Sequence, residues 1–256
     1  MPTLRFQYLF DEGTGTAISD NSAYGNDGAM EYGVGWISAP YNPALDFYVS
    51  DNPTGQVRIP VIQPWGNQTT NLPTTSYTVM FWVNAGTRFP YSTTVINKMS
   101  NEGTYPHRFT RGWSTRLFTM GTGNRITRVG LLDYYWGWDP PVSENFHQFR
   151  VYKDFGTSTV CDGGWHHFAI FFSVDTWQGK MWFDMVEVTP TVTAVENYAR
   201  KSSANNVDLL IGGQQYFPLF YPGMLYDIRL YEGEVSPTGL YPNIANVSQV
   251  RMTPEL

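Results

Sequence analysis

The chain has 256 residues, with 16% aromatic but only 15% charged residues, 24 Gly and 17 Pro. That balance favours strands and turns over helices, and all-β sandwiches of this length routinely form one domain. The net charge of −6 argues against a nucleic-acid partner, which needs a basic face for phosphate.

The chain opens at Leu4 with a short alternating strand that sets Phe6, Tyr8 and Phe10 on one face. It runs into a polar loop, Asp11 to Gly28, too rich in Gly, Asp, Asn and Ser for helix or strand. Further strands are predicted at Val57–Ile62, Tyr77–Asn84, Trp165–Ser173, Lys180–Val188 (after a turn at Gln178-Gly179), Val207–Ile211 and Met224–Tyr231. In the last of these, alternation puts Tyr226, Ile228 and Leu230 on one face and Asp227 and Arg229 outward on the other. Glu196–Ala204 has room for a helical turn or two. Residues 97–161 read as an elaborated loop region.

Cys161 is the only cysteine, so no intrachain disulfide forms and the fold does not rely on oxidation. Strand pattern begins directly after Met1 with no secretion-signal pattern, and no run reaches the roughly 18 apolar residues of a membrane helix. A chain made in the cytoplasm, with no membrane insertion, is expected.

Several segments together resemble the laminin-G-like, concanavalin-A-like family. The opening strand and loop (LFDEGTGTAISDNSAYGNDG) is similar to its first loop, and Ala44–Phe47 with Val57–Pro60 match the ends of its next segment. Thr78–Val83, Asp162–Ile170 and Gly223–Tyr231 follow in the family's order, keeping Trp82, Trp165, His166 and His167. The family's Tyr-Val-Asp-Gly hairpin is absent, with Trp182-Phe183-Asp184-Met185 in its place. The resemblance implies an antiparallel two-sheet jelly-roll sandwich over residues 1–235, with residues 236–256 as an extended arm on the sandwich or on a neighbouring subunit. It implies packing roles for His166 and His167, and often a structural calcium between the first loop and the last strand.

The residues offer few catalytic arrangements. Asp184 and Glu187, three apart on a predicted strand, face opposite ways, which disfavours a glucan hydrolase. His147 faces opposite to Gln148, Arg150 and Tyr152, which disfavours a polysaccharide lyase. Two better-supported sites remain. Calcium wants six to eight hard oxygens, and the loop offers Asp20, Asn26 and Asp27, with Asp227 from the last strand; a metal-free loop held by Asx turns is the alternative. The stretch Leu131–Pro141 packs four aromatics into five residues, Tyr134, Tyr135, Trp136 and Trp138, beside Asp133, Asp139 and Arg128, and reads as an irregular loop. Such a group suits stacking on a sugar, a contact with another subunit, or packing on its own sheet.

The sequence therefore points to a non-catalytic binding or structural protein. One form is a virion-surface protein, a capsid decoration or fibre component of a bacteriophage, made in the host cytoplasm, with capsid proteins or glycans as partners and the option of a homo-oligomer. The other is a free-standing, extracellular, lectin-like carbohydrate-binding module.

Overall fold

The computed structural model describes residues 2–38, 43–47, 55–60, 76–86, 93–102, 109–119, 126–139, 142–155, 160–173, 176–196, 207–213 and 220–240. For parts of some strands, 132–139 and 142–148 among them, it describes only the course of the backbone. Six short strands come first: β1 (Thr3–Tyr8), β2 (Ala17–Ile18), β3 (Gly28–Glu31), β4 (Gly35–Ser38), β5 (Pro43–Asp46) and β6 (Gln56–Ile59). Next are β7 (Tyr77–Asn84) and the four longest, β8 (Thr93–Glu102), β9 (Phe109–Thr119), β10 (Ile126–Asp139) and β11 (Val142–Asp154). The last six are β12 (His166–Ser173), β13 (Gln178–Phe183), β14 (Val186–Val188), β15 (Thr191–Glu196), β16 (Leu209–Ile211) and β17 (Met224–Glu232).

They form two antiparallel sheets packed face to face, a jelly-roll-type sandwich. The first sheet runs β14-β13-β12-β7-β17-β5-β4, with β1 also paired to β17. The second runs β15-β11-β10-β9-β8-β16-β6-β3-β2. Both give alternate residues to a shared core, as strand geometry requires. Phe6, Tyr8, Val79, Phe81, Phe168, Ile170 and Phe172 come from the first sheet, and Trp113, Leu117, Val129, Leu131, Phe149 and Val151 from the second. Aromatic pairs cross the gap: the Phe149 and Phe172 rings are 4.3 Å apart and those of Tyr77 and Trp113 5.9 Å. Each such pair adds about 0.5–1.5 kcal/mol beyond the area it buries.

Residues 97–161 are not a loop region. Most of their described length is strand, the tail of β8 and then β9 to β11, and it forms the middle of the second sheet. The stretch from Leu131 to Asp139 is the far half of β10, paired continuously from Leu131 to Gly137 with β9 on one side and β11 on the other. The apolar period is present in Val129 and Leu131, but aromatics at consecutive positions blur it.

Lys180–Val188 is not one strand either. The chain turns back at Asp184 (φ 49°) and Met185 (φ 67°), both left-handed, so that Phe183 pairs with Val186. Positive φ at both central residues is the turn whose twist matches a tight hairpin. The preceding turn is at Thr176–Trp177 rather than Gln178-Gly179, with Trp177 at φ 55°.

In β17 a bulge between Tyr226 and Arg229, with Asp227 at φ 43°, breaks the alternation. Leu225, Ile228 and Leu230 reach the core, while Met224 and Tyr226 lie on the opposite face beside Trp82 and Trp165. Asp227 is 1% exposed, not outward. Of the tail, Pro237–Gly239 is a 3-10 turn rather than an extended arm, and Val235 and Leu240 pack against the first sheet. Of the stretch 196–204, expected to hold a helical turn, Glu196 ends β15 and the rest lies outside the described residues, as do residues 241–256.

Candidate functional site

On the outer face of β9, β10 and β11, three cross-strand rows line up side by side. Register puts Arg116, Gly130 and Tyr152 in one row. Phe118, Arg128 and Asp154 form the next row, and Ser114, Leu132 and Arg150 the one on the other side. The central position is a glycine for a steric reason: a Cβ there would stand 2.6 Å from the Cβ of Tyr152 and 2.7 Å from the carbonyl of Val151. The missing side chain leaves a cleft of about 100 Å³, lined by Arg116, Phe118, Arg128, Arg150 and Tyr152 around Gly130.

The three guanidiniums sit in different environments. Arg128 donates to both carboxylate oxygens of Asp154 (2.7 and 2.9 Å), and its guanidinium lies 4.1 Å from the centre of the Tyr152 ring. That bidentate bond raises the Arg128 pKa and holds the Asp154 carboxyl below its usual range. Arg116 donates to Ser114 Oγ (3.0 Å) and the Met99 sulfur (3.4 Å). Its burial, and then the charge of Arg150 beside it, lower its pKa. Arg150 is exposed and, among the described residues, pairs with no carboxylate. The cleft thus combines two aromatic rings with five-donor forks that can hold hydroxyls or anionic groups.

A larger hollow of about 390 Å³ lies at one end of the first sheet, bordered by Ser173, Thr176, Trp177, Lys180, Val192 and Glu234. Four of its polar side chains are engaged with one another. Lys180 pairs with Glu234 at 2.6 Å, and Thr176 donates to Ser173 Oγ at 2.8 Å. The smaller cleft has the greater unmet capacity to bind.

Of the aromatic stretch, Arg128 stands in the cleft. Asp133, Tyr134, Tyr135, Trp136, Trp138 and Asp139 are placed only by register, their side chains lying outside the described residues. Asp133 pairs with Trp113 and Phe149, whose rings make contacts at the ends of β7 and β12. Past that level the β10–β11 hairpin continues to Asp139, about 20 Å at the usual rise per residue. The aromatic run therefore belongs to its far end.

The expected calcium ligands are otherwise engaged. Asp20 Oδ1 accepts from the N–H groups of Gln7 and Ser22, both at 2.9 Å. Its Oδ2 accepts from Ser22 Oγ (2.8 Å), Asn26 N (2.9 Å) and Asn26 Nδ2 (3.3 Å). Asp27 accepts from the Asp20 N–H at 2.9 Å. Asp227 is clamped by Arg229 through two bonds of 2.7 and 2.6 Å. Among the described residues no three Asp, Glu, His or Cys side chains gather in metal-holding geometry. The loop is organised as Asx turns around Asp20.

His166 does more than pack. Its ring nitrogens face Asp184 at 2.9 Å and Asp162 at 3.0 Å. Burial lowers its pKa, but the hydrogen bonds and charges of Asp184 and Asp162 outweigh this and hold the value above the ordinary one. His167, fully buried with its ring 5.1 Å from that of Trp82, is pushed down to about 3 by burial and then by the charge of Arg229. Asp184, expected on a strand, is instead the turn residue that holds His166 and accepts the His167 N–H at 2.9 Å.

The cleft residues Arg116, Phe118, Gly130, Arg150 and Tyr152 were not among those the sequence singled out as a site. The available signal was the alternation that gathers Gln148, Arg150 and Tyr152 on one side of β11.

Among solved structures, the chain is similar to domain 4 of AbnA, a GH43 extracellular arabinanase from Geobacillus stearothermophilus, in complex with arabinotriose. The identity is 18% and the TM-score 0.52, over 98% of this chain and 99% of that one. It is also similar to the binding domain of botulinum neurotoxin DC, seen in complex with rat synaptotagmin II (12% identity, TM-score 0.59) and with SialylT (12%, TM-score 0.56). In both cases the match covers 98% of this chain but 52% of the neurotoxin domain, about half its length. Likenesses at these identities establish the sandwich fold. No protein-family model and no curated protein sequence matches the chain.

Proposed function

We propose that the chain is a non-catalytic carbohydrate-binding module whose site is the cleft over Gly130. The observation that carries this reading is the hollow itself: two aromatic rings and unspent guanidinium donors converge where a side chain is missing. A sugar needs an aromatic surface for its apolar face and fixed donors for its oxygens. The arabinotriose and SialylT complexes of the similar domains support a binding role on this fold. Cleavage would need an acid and a base with separated pKa values aimed at one bond, and among the described residues no carboxylate or histidine lines the cleft. Such a module works at an extracellular or virion surface.

The test is a glycan array with the double variant Phe118→Ala, Tyr152→Ala. The variant should keep a native near-UV circular dichroism spectrum and lose retention of the glycans bound by the unmodified chain. Equal retention would move the site elsewhere.

A second reading, attachment to a larger particle such as a capsid, is favoured by the position of Tyr134–Trp138 at the far end of the longest hairpin. Trp136→Ala with Trp138→Ala should then abolish cosedimentation with particles while leaving glycan retention intact.

A further inference from the structure

The charge in the cleft is more one-sided than a neutral sugar requires. Arg116, Arg128 and Arg150 share the outer face of three adjacent strands in a chain of net charge −6. The only carboxylate bonded to any of them, among the described residues, is Asp154, which serves Arg128. Like charges on neighbouring strands oppose folding, and here the repulsion is felt: Arg150 depresses the pKa of Arg116, which is itself mostly buried. Partial burial of a guanidinium without a counter-ion adds a desolvation cost. Against these costs Arg116 has, among the described residues, only neutral partners, Ser114 Oγ and the Met99 sulfur.

We propose that the cleft selects anionic saccharides, placing a carboxylate or sulfate group of the sugar between Arg116 and Arg150 while the ring lies against Phe118 and Tyr152. This rests on the reading of the cleft as a carbohydrate site. Carboxylate and sulfate share the feature that matters, a negatively charged pair of oxygens on one atom that can accept from two N–H groups of a guanidinium fork. Arg128, already neutralised by Asp154 and held over Tyr152, shapes the wall, and Arg116 and Arg150 supply the uncompensated charge. A nucleic-acid strand fits less well. It needs a basic track over several nucleotides, whereas this is one hollow of about 100 Å³ on an acidic protein.

The experiment is calorimetric titration of the full chain with four probes: trigalacturonate for carboxylate, a heparin-derived tetrasaccharide for sulfate, arabinotriose as a neutral sugar, and an oligo-dT strand. At least one charged saccharide should bind about tenfold or more tighter than arabinotriose and weaken between about 50 and 200 mM salt, as ion-pair binding does. Which one binds identifies the group. Arg150→Gln should cost that saccharide about tenfold in affinity, and Arg116→Gln at least as much. Arg150 is exposed, so its variant carries the test even if Arg116→Gln fails to fold. Arabinotriose binding as tightly as the charged sugars, lost in Phe118→Ala, Tyr152→Ala but unchanged in Arg150→Gln, would overturn the selectivity and leave the carbohydrate reading standing. Failure of every saccharide to bind would overturn the reading itself. An oligo-dT strand bound tighter than any sugar would overturn both.

Discussion

The outer faces of the two sheets have opposite chemistry. Outside the first sheet lie Met80, Trp82, Trp165, Ala169, Phe171 and Trp182, none more than 7% exposed. Val235 and Leu240 pack on one end of this layer and Ile37, Met185, Met224 and Tyr226 on the other. Outside β9 to β11 in the second sheet lie arginines, two half-buried rings and a glycine hollow. The first face adds a second apolar layer to the core, and the second carries, among the described residues, the charged cleft proposed as the binding site.

The sharpest way to break this contrast is to truncate one side chain on each face. Trp82→Ala should cost about 3–5 kcal/mol, the usual range for deleting a buried indole. Arg150→Ala should change stability by about 0.5 kcal/mol or less, as surface substitutions do. Denaturant titration of both variants checks this, and comparable losses would mean that the arginine face is structural.

The second effect concerns His166, at the margin of the first sheet. Its pKa is raised in the folded state, so its contribution is complete below the unfolded value of about 6.5 and is lost as pH rises through the folded value. Asp184→Asn keeps an acceptor for the His167 N–H but removes the charge facing His166. It should cost roughly 1.5–3 kcal/mol near pH 5.5 and distinctly less near pH 9. A pH-independent loss in melting experiments would assign Asp184 a turn-forming role alone.

Next in size is Gly130→Ala, whose Cβ meets Tyr152 and the Val151 carbonyl below 3 Å. It should cost about 1–3 kcal/mol, as overpacking does, and abolish glycan retention. The smallest effect is expected from calcium. With the Asp20 and Asp227 oxygens already engaged, thermal melts in millimolar calcium and in chelator should superimpose. A rise in Tm with calcium would show that the ion displaces the Asx turns.

The contrast between faces also explains what the sequence could tell. β7 and β12 were legible because apolar residues run unbroken from Val79 to Val83 and from Phe168 to Phe172, the pattern of strands buried on both sides. β10 was not, because Asp133 to Trp138 mixes acid, ring and glycine at consecutive positions, so that the period set by Val129 and Leu131 fades where the strand outruns the core. Asp227 was misplaced because a bulge is one residue of local twist with no reliable signature, and it reversed the face of Tyr226. Of the cleft only Arg128 was found. Its neighbours are set by register across three strands, which pairs Arg116 with Gly130 and Gly130 with Tyr152, and no spacing along the chain encodes that alignment.

The pairing of β1 with β17, Thr3 opposite Glu232, has a consequence for biosynthesis. The first strand emerges from the ribosome with its partner more than two hundred residues away, and at about 5–20 residues per second it waits some tens of seconds for it. Phe6 and Tyr8, buried in the finished sandwich, are exposed throughout that interval, and closure of so long a loop is intrinsically slow. The first sheet is therefore completed only after β17 has been made. A chain stalled before Met224 would hold its opening strand as an open edge available to chaperones or to other nascent chains.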